Sequence, residues 1–276
     1  MSSIDPKLQE LDAELARVWR GILEIIFEPC VPYVKETEGG FLVSGKEETG
    51  YKLITKDEDL LTFIMADQCD DAAQVLYDIV QKIFGTEVQM TQIEVKPKRA
   101  ALWPNRINKA RVRGHMVLLV MLPDRTQLVV DPTKAQFGFQ ECGLSLQKFL
   151  KDYGVKGDET IPLIFDRETH LQEMEIASKK MVKAMKNMEE AFASLGSFVP
   201  GPQYRPQDHY ELFQHLRERL SEAYDVWRAG IDDGSSVVEV LSQENVGRES
   251  FRKAMLDGAE KAVKDSKGGK LPRFLP

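Results

Sequence analysis

Cys69, His115 and Asp131 are of the types, and come in the order, that thiol acyl transfer requires. A thiol attacks a carbonyl only as the thiolate, a minor fraction of an ordinary Cys at neutral pH. A neighbouring imidazole can take the thiol proton and later return it to a leaving amine. A carboxylate on the far imidazole nitrogen fixes the tautomer and stabilises the imidazolium. Cys69 lies in Ala66-Asp67-Gln68-Cys69-Asp70-Asp71-Ala72-Ala73, just where a helical pattern begins. The unpaired N–H groups of such a helix start favour a thiolate and can receive the oxyanion of a tetrahedral intermediate. Gln68 is placed to add a side-chain donor to that oxyanion site. Asp70 and Asp71 suit the helix, but their charge opposes the thiolate.

The elements that must position these residues are legible in the periodicity. Leu8, Leu11, Leu15, Val18, Trp19, Ile22 and Ile26 recur at helical spacing from about residue 6 to 28, where Pro29 and Pro32 stop the pattern. Phe41-Leu42-Val43 and Lys52-Leu53-Ile54-Thr55 are short strand candidates. Ala72, Ala73, Leu76, Ile79, Val80 and Ile83 predict a helix ending at Gly85. Strands are expected over 87–95, 115–122 and 127–131, the last two forming a hairpin through Pro123-Asp124-Arg125-Thr126. The thiol would then sit on a helix, with His115 opening one strand and Asp131 closing its neighbour.

Beyond about residue 170 the pattern becomes helical. A stripe of Met174, Ala177, Met181, Met185, Met188, Phe192 and Leu195 ends at Gly196, and the Pro/Gly stretch 198–206 breaks it. It reads as core or a helix-pairing surface, with a Met-rich binding groove as the alternative. One further helix carries Leu212, Phe213, Leu216, Leu220, Tyr224 and Trp227. Another carries Phe251, Met255, Ala259 and Val263, and the tail Lys267-Gly268-Gly269-Lys270 reads as loose. The expected division is an α+β core over 1–170 and a helical extension, packed on it, over 171–276.

The bulk composition narrows the classes. A chain of 276 residues, 42% hydrophobic and 29% charged, can bury a sizeable core in one large domain or two modest ones. The net charge of −7 opposes bulk binding to nucleic acid or anionic membranes, though not a local basic patch. With no apolar signal core near its start, no run of membrane-spanning length and three scattered cysteines, the expected location is the cytoplasm.

The quoted segments, with Gly114-His115-Met116-Val117 and Val130-Asp131-Pro132-Thr133, resemble the core of the transglutaminase-like superfamily over roughly residues 60–140. Its more specific parts are the Asp-Pro-Thr ending and the spacing of 16 from His115 to Asp131. The resemblance implies a papain-like fold, with Cys69 as nucleophile, His115 as base and Asp131 as orienter. Two positions depart from the pattern: the residue before the nucleophile, often Gly, is Gln68, and no aromatic follows soon after His115. The superfamily includes proteases, deamidases, amide hydrolases, cross-linkers and members without catalysis, so no substrate carries over. The arylamine N-acetyltransferases use the same Cys-His-Asp logic, but their Arg-Gly-Gly and Asp-Val-Gly-Phe-Gly stretches are missing and the C-terminal third reads helical.

Residues 96–114 hold seven Lys/Arg and no Asp/Glu, and they run directly into His115. This segment is either a solvated loop and strand face or a basic rim for an acidic, phosphate-bearing or RNA-linked substrate. In the second case Arg106, Lys109, Arg111 and Arg113 supply charge and Trp103 a stacking surface. No phosphate-cradling Gly loop or closely spaced metal-ligand pair is present; His209 and His215, six apart, fall off one helical face. No cofactor or metal is therefore expected. Cys30 and Cys142 read as small buried hydrophobes. Two functions compete: a cysteine-dependent acyl-transfer or amide-hydrolysing enzyme acting on a peptide, protein or small acyl substrate, and a non-catalytic interaction protein on the same scaffold; a third is an acyltransferase using an acidic, RNA-linked or thioester cosubstrate. The sequence leaves the oligomeric state open.

Overall fold

The computed structural model describes residues 4–29, 33–37, 40–44, 47, 49–55, 65, 68–85, 88–98, 100–102, 114–154, 163–169, 171–173, 175–176, 179–180, 183, 206–231, 234–243 and 245–271. Its described elements form a mixed α+β fold around one antiparallel five-stranded sheet. The apolar stripe of the N-terminal region folds as helix α1 (Pro6–Ile26). It starts on an Asp5 side chain that accepts from the Lys7 N–H, with Pro6 where a missing donor costs nothing. Leu11, Leu15, Val18, Trp19, Ile22, Leu23 and Ile26 are all fully buried.

Strands β1 (Tyr33–Thr37), β2 (Gly40–Ser44) and β3 (Lys52–Leu53) follow. Together with β5 (Ala100–Leu102), which lies parallel to β2, they make a small sheet of order β3-β1-β2-β5. Helix α2 (Cys69–Phe84) buries the expected Ala72, Ala73, Leu76, Ile79, Val80 and Ile83. It ends at Gly85, whose φ of 85° suits a residue without a side chain. The main sheet has the order β8-β7-β6-β4-β9. Its members are β4 (Gln89–Val95), β6 (His115–Met121), β7 (Gln127–Val130), β8 (Leu144–Ser145) and β9 (Leu163–Phe165). The β6–β7 hairpin turns through Arg125 at φ 65°, with the Leu122 N–H donating to Thr126 O at 2.9 Å.

Strand β6 is apolar on both faces because both are covered. Met116, Leu118 and Val120 join α1 and α2 in the larger core. Val117 and Leu119 face a smaller one with Ile93, Val95, Val129, Phe137, Phe139, Leu144 and Phe149. Phe149 comes from the short helix α3 (Leu146–Tyr153).

Helices α4 (Pro206–Ala229), α5 (Val237–Gln243) and α6 (Asn245–Asp265) close the far side. Leu212, Leu216, Leu220, Phe251, Met255 and Ala259 lie in the same buried cluster as α1 and α2. Within that cluster Glu14 is fully buried. It accepts from Arg252 through two parallel bonds of 2.8 Å and from Arg17 at 2.9 Å. The tail expected to be loose is held: the Leu271 N–H donates to Ile26 O at 2.7 Å, and the Glu28 N–H to Leu271 O at 2.8 Å. Leu271 is buried, so its apolar side chain outweighs the local flexibility of Gly268-Gly269. The Met174–Leu195 stripe residues and Cys30 lie outside the described residues. No described helix is long and apolar enough to cross a membrane.

Removing Arg252 takes two hydrogen bonds and half of the cationic charge from the buried Glu14, leaving Arg17 as its remaining described partner. Arg252→Leu is therefore expected to cost about 2–4 kcal/mol, and Glu14→Met added to it should recover most of that loss. Urea unfolding of both variants checks this, and equal losses in the single and double variant would contradict it.

Candidate active site

The hydrogen bonds of α2 against β4 fix where its first residue points. Gln74 Nε2 donates to Gln92 Oε1 at 3.1 Å, Tyr77 Oη to Met90 O at 2.9 Å, and Gln81 Nε2 to Val88 O at 3.2 Å. As the helix advances the strand retreats, so Cys69 lies toward the Val95 end of β4. His115 pairs with Val95 at that same end. Gly114, just before it, packs so closely on Glu94 that any side chain there would overlap the carboxylate.

His115 and Asp131 are brought together as the sequence predicts. Nε2 of His115 lies 2.7 Å from Oδ2 of Asp131, and both side chains are buried. Asp131 is itself held. Its Oδ1 accepts from the Thr133 N–H at 3.1 Å, and its own N–H donates to Asp12 Oδ1 at 2.9 Å. Asp12, on α1, also accepts from Lys134 Nζ at 3.1 Å and from the Gly143 N–H at 2.8 Å. Gly143 has φ 55°, and a side chain there would strike the backbone of Gln9. Burial pulls the Lys134 ammonium toward neutrality, but Asp12, then Cys142 and Asp131, outweigh it and hold its pKa above the usual lysine value.

The other ring nitrogen of His115 is also engaged. Nδ1 lies 3.2 Å from Gln136 Nε2. With Asp131 accepting from Nε2–H, Nδ1 carries the lone pair that the Gln136 amide donates to. The ring packs against Phe137 at a centroid distance of 4.2 Å, with Phe139 and Phe149 beyond. His115 thus faces the smaller core.

Cys69 is 8% exposed and belongs to the larger core. Its Sγ lies 4.0 Å from Asp70 Oδ1, and none of the hydrogen bonds of His115 is to it. The thiol and the imidazole therefore share one end of the sheet without being bonded to each other. Gln68 immediately precedes α2 and is half-buried. Its Oε1 is buried with no hydrogen-bond partner among the described residues. Among the described residues no cluster of His, Cys, Asp and Glu could hold a metal. Trp103, Arg106, Lys109, Arg111 and Arg113 lie outside the described residues.

Asp12, Lys134 and Gln136, which the sequence does not single out, complete the site together with His209, which the sequence offers only as half of an ill-spaced histidine pair. His209, on α4, places Nε2 3.3 Å from Asp71 Oδ2 in the first turn of α2 and stacks on Phe213 at 4.3 Å. Burial alone would lower the imidazole pKa, but the Asp71 charge and hydrogen bond outweigh it and leave the value raised. None of these contacts carries a local sequence signal except Gln136, five residues after Asp131 in the same turn. No family model, curated protein or solved structure matches this chain, so the site is read from its own geometry.

Asp131→Ala removes the acceptor for His115 and for Thr133 and is expected to cost about 2–4 kcal/mol, against about 1–2 for Gln136→Ala. Denaturant midpoints test the order, and a larger loss in Gln136→Ala would reverse it. Because the His209 pKa is raised in the folded state, the stability it contributes is complete below about pH 6.5 and drains as pH rises through the folded value. Asp71→Asn should flatten the fall in stability above that pH; parallel curves for it and the wild type would refute the link.

Proposed function

We propose that this chain is a cysteine-dependent acyl-transfer or amide-hydrolysing enzyme on a papain-like core, with Cys69 as nucleophile, His115 as base and Asp131 as orienter. The observation that carries the reading is the buried 2.7 Å contact between His115 and Asp131, at the end of the sheet where α2 begins with Cys69. An aspartate bonded to Nε2 leaves Nδ1 as the proton acceptor, so the pair already has the tautomer that a thiol base needs. For catalysis Nδ1 exchanges its bond with Gln136 for one with Sγ.

The thiolate then attacks the substrate carbonyl carbon, forming the C–S bond as the carbonyl electrons move onto oxygen. N–H groups at the start of α2 and the side-chain amide of Gln68 receive that oxyanion. Collapse breaks the C–N bond, and the imidazolium gives its proton to the departing amine. Water or a second amine attacks the thioester, losing a proton to His115, and the thiol is regenerated as the C–S bond breaks. The substrate class is a peptide, a protein or a small acyl compound, with the basic 96–114 segment suiting an acidic or RNA-linked one. A cytoplasmic, reducing location fits a catalytic thiol.

One observation favours a second reading. Both ring nitrogens of His115 are satisfied, and Cys69 sits in the other core, an arrangement also suited to a non-catalytic interaction protein on the same scaffold.

Alkylation of the native protein against pH, resolved by cysteine, separates the two. The enzyme reading expects Cys69 to react at least about tenfold faster than Cys142 below pH 7 and to lose that advantage in His115→Ala. Cys69 reacting no faster than Cys142, in a protein whose circular dichroism is native, would leave the scaffold reading.

A further inference from the structure

Asp70 and Asp71 place two carboxylates within a turn of the thiol, and each disfavours a thiolate. One of them is answered from the C-terminal helices. We propose that His209 is a positioning residue for Cys69: as an imidazolium 3.3 Å from Asp71 it cancels that charge, so that α4 completes the electrostatics of the thiol. This rests on the reading of Cys69 as the nucleophile, but its physical content is the ionisation of one thiol.

The geometry is specific to this pair. Asp71 is 9% exposed, so its charge is poorly screened by water and acts strongly on its surroundings. His209 is held over it from behind by the stacked ring of Phe213. Among the described residues Asp71 supplies the charge that acts on His209; Asp208, next to it, packs instead against Gly268 in the C-terminal turn. On the thiol side Sγ lies 4.0 Å from Asp70 Oδ1, and Asp71, in the same first turn of α2, is the carboxylate that His209 meets. Burial works against the imidazolium, but the Asp71 charge and hydrogen bond outweigh it and hold the His209 pKa above its ordinary value.

The consequence is an electrostatic coupling between the helical extension and the thiol, carried through Asp71. Losing the charge on His209 exposes Asp71 and makes the Cys69 thiolate harder to form. Losing Asp71 as well restores the balance.

The test is thiolate ultraviolet absorbance against pH in the full chain carrying Cys30→Ser and Cys142→Ser, with the same chain plus Cys69→Ala subtracted to remove tyrosine. His209→Gln is expected to raise the Cys69 midpoint by about half to one pH unit. His209→Lys should keep it near the parent, and Asp71→Asn/His209→Gln should bring it back to the parent or below. A His209→Gln midpoint equal to the parent overturns the proposal, as does a double variant that stays raised. If His209→Gln unfolds, Asp71→Asn alone decides: it leaves the imidazolium uncompensated, so a midpoint below the parent supports the proposal and one equal to or above it overturns the proposal. The enzyme reading fails separately, through slow alkylation of Cys69 in the wild type, whichever way these midpoints move.

Discussion

Asp12 is the constraint on which the rest of the site depends. A single buried carboxylate on the N-terminal helix accepts from the Asp131 N–H, the Lys134 ammonium and the Gly143 N–H. Those three donors come from the loop that follows β7, so the loop has no freedom to drift. Asp131 is thereby fixed in backbone as well as side chain, and a short hydrogen bond to His115 becomes possible. A carboxylate buried with one partner would be a burden, but with a lysine and two backbone donors the desolvation is offset.

The same logic explains why much of the site was hidden in the sequence while the elements were not. Helix α1, helix α2 and the β6–β7 hairpin are written locally, in apolar residues at helical spacing and in continuous runs closed by Pro123-Asp124. The pairing of His115 with Asp131 was legible because the two stand at facing ends of one hairpin. Asp12 meets Asp131 across 119 residues, and His209 meets Asp71 across a similar gap, so no spacing rule connects them. Gln136 was within reach of the reading, but a glutamine in a turn has no property that singles it out until the ring nitrogen beside it is seen. The tail failed for a related reason: Gly268-Gly269 signals flexibility, whereas Leu271 decides the outcome only through its place beside Ile26.

The two faces of the main sheet divide the work. One face packs the thiol-bearing helix with α1 and the C-terminal helices. The other carries His115 among Phe137, Phe139 and Phe149. An aromatic, water-poor setting strengthens the bond to Asp131 and lowers the freedom of the ring to turn. Gln136 then supplies the only remaining polar need of the imidazole. Rigidity and readiness pull against each other here, because the bond that satisfies Nδ1 is the bond a base would have to give up.

The arginine clasp on Glu14 has a meaning for the order in which the chain acquires its shape. Glu14 and Arg252 are separated by 238 residues, and Lys7 meets Glu239 across 232. The apolar stripe of α1 is therefore covered by segments far from it in the chain. Contacts of such long separation carry a large loop-closure entropy before they return any stability, which slows folding. The Asp12-bearing helix completes the burial of its apolar face only when α5 and α6 dock on it. In kinetic terms, the contacts that secure α1 are of the kind that close late, however early its own turns form.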